Sequence, residues 1–307
     1  MLAERAQCHL ALGKPEQALK ELTFLHDLRR LLGGKPTLLV AAMIDTAVAG
    51  LYANIVADGF ALHAWREPEL IALQKQLAEI KLPPTVLDSL RTEGGATSQS
   101  LLNLKPAEII ELLRFDETKS GSWGKYTDPT YLLFKLAPRG WIYQNLVSVA
   151  NAGQATTIGT FDAKTGMLYP GKVAEGHRVV ENMSEHWSPF TILARIAVPN
   201  FSRALQTTAR NQTLANEAFI ACALERYRAS RGAYPDFLDA LVPTFADAIP
   251  RDLIGGQPLH YRREADGRFT LYSIGWNETD DSGKATFDQN ASIETTSPDW
   301  AWPMRKP

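Results

Sequence analysis

The residues best suited to chemistry are concentrated in one short stretch near the C-terminal end of the sequence. Between Ser273 and Asp299 the chain holds six acids and a single base, Lys284. The acids are Glu278, Asp280, Asp281, Asp288, Glu294 and Asp299. Ca²⁺ takes about six to eight oxygen ligands from carboxylates, carbonyls and water in a flexible loop. Composition alone leaves two interpretations open, a calcium-binding loop and a solvated acidic loop.

The run from Asn277 to Gly283 could supply side-chain and backbone oxygens within one tight turn, and Asp299 could close a site from the end of the chain. The spacing is not that of an EF-hand. Counted from Asn277, the sixth position is Ser282 rather than Gly, and the twelfth is Asp288 rather than Glu.

Catalytic motifs are not found in this sequence. It has no Gly-x-Ser-x-Gly elbow, no His-Glu-x-x-His and no glycine-rich phosphate loop. The six histidines do not pair at metal-ligand spacing: His9, His26, His63, His177, His186 and His260. A site assembled from distant residues stays open, because catalytic groups are close in space rather than in sequence. The enzyme alternative is therefore a calcium-dependent hydrolase of small esters or lactones.

The overall composition excludes several classes of protein. With 307 residues and a net charge of −2, the chain lacks the positive excess of a nucleic-acid binder. Cys8 and Cys222 are too few for a disulfide scaffold or a thiolate zinc site. Both are predicted to be buried free thiols. The acidic stretch carries −5, so the rest of the chain carries +3.

The first ninety residues predict an array of helices. Apolar spacing indicates one helix up to Ala11, a break at Gly13 to Pro15, and a second helix from Pro15. The run from Ala11 to Leu19 resembles the turn of a tetratricopeptide repeat, but a single unit favours a generic helical hairpin. Residues 37–64 are strongly apolar but contain Asp45 and Asn54, which favours a buried core helix over a membrane span.

The central part of the chain alternates predicted helices and polar loops. Helices are expected over Glu67 to Ile80, Pro83 to Leu90, Pro106 to Phe115 and Trp141 to Lys164. Polar loops are expected over Arg91 to Ser100 and Asp116 to Lys125.

The C-terminal third predicts a long helix followed by a small sheet. The helix covers residues 200–231, and a short helix follows at Phe237 to Leu241. Two strands, Leu259 to Arg263 and Arg268 to Ile274, flank the hairpin turn signal Asp266-Gly267. The expected fold class is α+β, mostly α, with a helical domain over 1–198 and an α+β domain over 199–307.

An ordered series of segments in this third resembles a known family. The segments are Leu224 to Pro235 (LERYRASRGAYP), Leu238 to Val242, Ile249 to Asp252, Gly256 to Leu259, Tyr261, and Leu271 to Gly275. The series is similar to the periplasmic domain of the major pseudopilins of type II secretion, especially to pseudopilin-like domains of larger bacterial proteins. The chain departs from that family in having no processing site followed by the usual Glu.

The resemblance implies calcium in the loop after the last hairpin. Among the oxygen-bearing side chains there, we choose Asp280, Asp281 and Asp299 as the expected ligands, with Asn277 as a weaker fourth. It also implies a structural or assembly role in the bacterial envelope or in secretion, with envelope or secretion-system proteins as partners. We expect neither a nucleic-acid partner nor a membrane span within this chain. The compartment stays open between the periplasm or envelope, if an upstream anchor or signal is missing, and the cytoplasm.

Overall fold

The computed structural model describes residues 1–32, 38–103, 108, 139–185, 188, 190–191, 201–288 and 292–303. Over these residues the fold is α+β and mostly helical, with two small antiparallel sheets, which confirms the predicted class. The chain forms two compact units. Unit 1 contains Met1–Ser89, Gly159–Gly171 and Arg203–Pro307, and unit 2 contains Leu90–Ile158 and Lys172–Ser202. The domain division at residues 198 and 199 stays a prediction.

Unit 1 begins with the predicted helical array. Its helices are α1 (Leu2–Ala11), α2 (Pro15–Leu32), α3 (Leu39–Ala61), α4 (Glu67–Ala78) and the start of α5 (Leu82–Asn103). The break between α1 and α2 is confirmed. Gly13 adopts φ 67°, a conformation that glycine reaches without strain, and Pro15 opens α2.

By length and composition, helix α3 could cross a membrane. Its most apolar 18-residue stretch has a mean hydropathy of 1.7, and half of that stretch is buried in the fold. Its buried face carries Asp45, whose carboxylate pairs with Arg29 of α2 at 2.7 Å. Burial raises the pKa of Asp45, and the Arg29 charge opposes that rise. The preference for a core helix over a membrane span stays a prediction.

Unit 2 contains the rest of α5, helix α6 (Arg139–Thr157) and most of α7 (Pro170–Glu185). Helices α6 and α7 approach closely at Gly176. A Cβ added there would lie 2.3 Å from the carbonyl oxygen of Ala155. Only glycine therefore permits this approach of the two backbones.

A two-stranded hairpin in unit 1 precedes α7. Strand β1 (Phe161–Asp162) pairs with β2 (Met167–Leu168). The backbone N–H of Leu168 donates to the carbonyl of Leu253 at 2.9 Å, and Leu168 forms a parallel bridge with Ile254. The hairpin is therefore joined to the turn that begins at Asp252.

Helix α8 (Ser202–Arg231) has 30 residues and packs against helices of the N-terminal array. Two of its amide side chains donate to backbone carbonyls of that array. Asn211 Nδ2 bonds the carbonyl of Thr46 on α3 at 2.8 Å, and Gln212 Nε2 bonds that of Ile80 at 3.0 Å. Where α3 passes Asn211, Gly50 leaves room for the amide. These bonds satisfy buried polar groups and set the position of α8.

The chain after α8 forms a three-stranded sheet. Gly232, with φ 85°, follows α8, and a 3₁₀ turn covers Leu238–Leu241. Strands β3 (His260–Arg263), β4 (Phe269–Ser273) and β5 (Trp300–Ala301) form an antiparallel sheet in the order β3-β4-β5. The predicted β3–β4 hairpin is confirmed, while β5 was not predicted because it is only two residues long.

Several expectations were wrong. The predicted loop Arg91 to Ser100 is helical, as part of α5. Within it, Ser98 Oγ donates to the Gly94 carbonyl at 2.9 Å, so the hydroxyl bonds the helix backbone rather than a turn. The predicted helix Trp141 to Lys164 ends at Thr157, because Gly159 adopts φ 74° and the β1–β2 hairpin follows. Cys8 is exposed, whereas Cys222 is buried as predicted.

The helix expected at Pro106 to Phe115 and the loop expected at Asp116 to Lys125 lie outside the described residues, Glu108 excepted.

Candidate functional site

The acidic loop, residues 276–288, begins at a tight turn after β4. Gly275 adopts φ 67°, and a Cβ there would lie 2.3 Å from the carbonyl oxygen of Pro298. This close approach brings the start of the loop against the segment that leads into β5. Near the end of the loop, Phe287 forms an antiparallel bridge with Ile293.

Asp299 is hydrogen-bonded to the middle of the acidic loop, while its predicted role as a calcium ligand stays a prediction. Its Oδ1 accepts the backbone N–H of Asp281 at 3.3 Å, and its Oδ2 accepts that of Gly283 at 2.7 Å. Its own N–H donates to the carbonyl of Lys284 at 3.1 Å. Burial raises the pKa of the Asp299 carboxyl, and the two hydrogen bonds oppose the rise.

Asn277 and Asp281 also meet within the loop. Asn277 Nδ2 donates to Asp281 Oδ2 at 2.9 Å, while Asn277 Oδ1 accepts the N–H of Thr279 at 2.9 Å. The amide therefore crosses the base of a turn that begins at its own position, which is typical of asparagine.

Asp280 makes its contacts with the sheet. Its Oδ1 accepts the N–H of Ser282 at 2.8 Å and the hydroxyl of Tyr272 at 3.1 Å, and its Oδ2 lies 3.6 Å from Nδ1 of His260. The hydrogen bond from Ser282 is the main cause that lowers the pKa of Asp280. Asp280 therefore attaches the acidic loop to β3 and β4.

The four predicted ligands suit calcium by their chemistry, because each offers carboxylate or amide oxygens. They do not form a ready-made cage. Over the part of the chain that the structure describes, no group of three or more His, Cys, Asp or Glu side chains is arranged to hold a metal ion. Backbone N–H groups bind both oxygens of Asp299. Asp280 and Asp281 are the more exposed carboxylates of the set.

An aromatic pair that was not predicted from the sequence supports Asp280. His260 stacks on Tyr272 with ring centroids 4.8 Å apart, and the two residues face each other in the β3–β4 register. The hairpin turn Asp266-Gly267 was the available signal, because the turn fixes the register and hence the cross-strand pairs.

Asp252, which was not predicted as a site residue either, anchors the end of β4. Its Oδ1 accepts the hydroxyl of Ser273 at 2.8 Å. Burial raises the pKa of Asp252 to about 6. The hydroxyl of Ser273 is thus bonded to a carboxylate. The enzyme alternative, a calcium-dependent hydrolase, stays a prediction.

The residues that carry the pseudopilin resemblance contact one another at the end of α8. The Tyr234 hydroxyl donates to Glu225, and the Tyr261 hydroxyl donates to the carbonyl of Pro235 at 2.7 Å. The Tyr234 ring meets Phe269 of β4 edge-on, with centroids 5.0 Å apart. The Tyr-Pro turn therefore fastens α8 to the β3–β4 hairpin.

Comparisons with protein-family models, curated proteins and solved structures find no match for this chain. The fold itself defines the structural class of the protein: it is α+β and mostly helical, with a long helix followed by a small antiparallel sheet. Membership of the pseudopilin family and the tetratricopeptide likeness stay predictions.

Proposed function

We propose that the chain is a calcium-binding, pseudopilin-like structural module with an assembly role in the bacterial envelope or in secretion. The observation that carries the proposal is the attachment of the acidic loop by Asp299, whose carboxylate binds the backbone of Asp281 and Gly283. Asp299 lies directly before the last strand, and the acids Glu278, Asp280, Asp281 and Asp288 lie within the loop.

The order of elements supports the same proposal. The chain has a long helix, a Tyr-Pro turn, a hairpin and an acidic loop in the order in which the resembling segments occur, and a short strand follows them. The hydrogen bonds of Tyr234 and Tyr261, two of the residues that carry the resemblance, join the long helix to the hairpin.

Calcium would be held by Asp280, Asp281, Asp299 and Asn277. When bound, it supplies positive charge to a stretch whose local net charge is −5. Two of these carboxylates are already held in place by hydrogen bonds, since Tyr272 donates to Asp280 and Asn277 donates to Asp281. The expected effect is a loop fixed more firmly to the sheet.

Isothermal titration calorimetry of the EDTA-stripped protein with Ca²⁺ tests the proposal. We expect one binding event, weakened at least tenfold in Asp281→Asn and in Asp280→Asn, because each change removes a carboxylate charge. The matched control is Asp247→Asn, an exposed acid outside the loop, which should bind like the wild type. No binding heat at millimolar Ca²⁺, or equal affinity in all variants, would contradict the proposal.

A further inference from the structure

Helices α2 and α3 pack against each other as an antiparallel pair. Arg29 of α2 bonds Asp45 of α3 at 2.7 Å, and the rings of His26 and Tyr52 meet edge-on with centroids 6.4 Å apart. The second contact lies earlier on α2 and later on α3 than the first. The two helices therefore run in opposite directions.

One side of this pair carries exposed apolar side chains from both helices. Leu28 and Ile44 each come directly before a residue of the Arg29–Asp45 pair. Because the helices are right-handed and antiparallel, these two positions lie on the same side of the pair. Neighbours three, four or seven residues away extend that side along each helix. We call this surface the apolar face, and its exposed residues are Phe24, Leu28 and Leu31 of α2 and Val40, Ile44 and Leu51 of α3.

The side chains of the apolar face are largely open to water. Leu31 is 80% exposed, and Phe24 and Val40 are each 68% exposed. Single exposed apolar side chains are ordinary on protein surfaces. A set that is gathered on one side of two adjacent helices is instead typical of a surface that binds a protein or a membrane.

The α3 part of the apolar face has no hydrogen-bonding side chain. From Val40 to Leu51 the polar residues are Asp45 and Thr46, and both are buried. Every exposed or half-buried residue of this stretch is therefore apolar. Interfaces between proteins carry a polar rim with hydrogen bonds, whereas lipid chains offer no hydrogen-bond partner. The face is therefore better suited to lipid than to a protein partner.

Basic charge accompanies the apolar face. From Leu28 to Ile44 the sequence contains three bases, Arg29, Arg30 and Lys35, and no acid. Arg29 is paired with the buried Asp45, whereas Arg30 is exposed on α2. This charge is opposite in sign to that of anionic lipid headgroups, which attract Lys and Arg beside an apolar surface.

We propose that the α2–α3 pair docks its apolar face on the surface of an anionic membrane. The apolar side chains of the face insert among the acyl chains, and Arg30 contacts the headgroups. Helix α3 then lies on the membrane instead of crossing it, because half of its most apolar stretch is buried in the fold together with the Arg29–Asp45 pair. The acidic loop takes no part, so the proposal does not rest on calcium binding.

Flotation of the full chain with large unilamellar vesicles tests the proposal. The vesicles contain either phosphatidylcholine alone or a mixture of phosphatidylcholine and the anionic phosphatidylglycerol. EDTA is present throughout, so that calcium does not bridge the acidic loop to the lipid. We expect the wild type to float with both kinds of vesicle and to bind the mixed vesicles more tightly. A wild type that does not float with the mixed vesicles would overturn the proposal.

The variants Leu31→Glu and Val40→Glu test the apolar contribution. Both side chains are exposed, so neither change disturbs the core. We expect partitioning into mixed vesicles to fall by about tenfold or more, because the loss of two inserted methylene groups alone corresponds to that factor. The matched control is Phe237→Glu, an exposed apolar residue outside the face, which should partition like the wild type. An equal fall in the control, or no fall in the two variants, would overturn the proposal.

The variants Arg30→Glu and Asp27→Asn test the attraction to the headgroups. Arg30→Glu should weaken binding to mixed vesicles by about fivefold or more, the contribution of one base near an anionic surface, and leave binding to phosphatidylcholine unchanged. Asp27→Asn removes an exposed acid one turn before Arg30 and should strengthen binding to mixed vesicles. The control is Arg231→Glu, an exposed base at the end of α8. Equal effects of Arg30→Glu and Arg231→Glu would overturn the proposal.

Sedimentation equilibrium without lipid separates membrane docking from self-association. A second copy of the chain is the other occupant that such a face suits. We expect the wild type and Leu31→Glu to have the same oligomeric state, because the face is then uncovered in solution. A wild-type dimer that Leu31→Glu dissociates would overturn the proposal.

Discussion

At the level of single residues, Asp299 shows what sequence composition and position can predict and what they cannot. Its place after the acidic run led us to expect it as a calcium ligand, which stays a prediction; in the structure its carboxylate accepts two backbone N–H groups of the loop. The same pattern could not show that its oxygens bind N–H groups, because hydrogen-bond partners depend on the path of the chain. The burial of Glu217 on α8 was not predicted either, since it results from the packing of α8 against distant segments.

Replacing Asp299 with Asn should destabilise the protein by about 1–3 kcal/mol, the typical effect of leaving a buried donor unsatisfied. One carboxylate oxygen would become an NH₂ group that faces a backbone N–H and cannot accept its bond. Urea unfolding of the calcium-free protein measures the change. Asp247→Asn serves as the control. If Asp299→Asn lowers the free energy of unfolding by less than about 0.5 kcal/mol, the two backbone bonds do not hold the loop.

At the level of elements, local signals succeeded where an element is defined by its own residues. Asp266-Gly267 predicted the β3–β4 turn, and Gly267 indeed adopts φ 81°. Strand β5 was missed because two residues carry no periodicity, and the strand exists only through its pairing with β4. The pair Gly94-Gly95 indicated a loop, but it lies within α5, which continues to Asn103.

The crossing of α3 and α8 gives a prediction at this scale. In Gly50→Ala the new Cβ would lie 2.8 Å from the Asn211 amide, which is held by its bond to Thr46. We expect a loss of about 1–3 kcal/mol, as for other overpacked helix contacts. Thermal and urea unfolding measure it.

Gly94→Ala is the matched control for that crossing. Nothing lies within 4 Å of a Cβ at residue 94, so the helical propensity of alanine should stabilise α5 by about 0.5–1 kcal/mol. Equal effects of the two substitutions would show that the α3–α8 contact is not close-packed.

At the level of the whole molecule, the sequence predicted the α+β class correctly because hydrophobic periodicity and turn residues are local properties. It did not predict that residues 1–89 and 203–307 contribute to one compact unit. That unit depends on Asn211 and Gln212, whose bonds to Thr46 and Ile80 join segments more than a hundred residues apart. No sequence pattern marks such bonds.

The charge distribution is also a property of the whole molecule. The net charge of −2 combines a stretch of −5 with a remainder of +3. The structure ties that stretch to the sheet through Asp280 and Asp299, so its mutual repulsion acts on the end of β4 and on β5. A bound divalent cation would relieve this repulsion and stabilise the folded state.

Thermal unfolding with and without calcium tests the proposed calcium-binding role most directly. Ca²⁺ at one hundred times its dissociation constant should stabilise the folded protein by about 2.7 kcal/mol, and EDTA should remove the effect. The Asp280→Asn/Asp281→Asn double variant should lose the stabilisation, whereas Asp247→Asn should keep it. A wild-type Tm that is the same in millimolar Ca²⁺ and in EDTA would contradict the account.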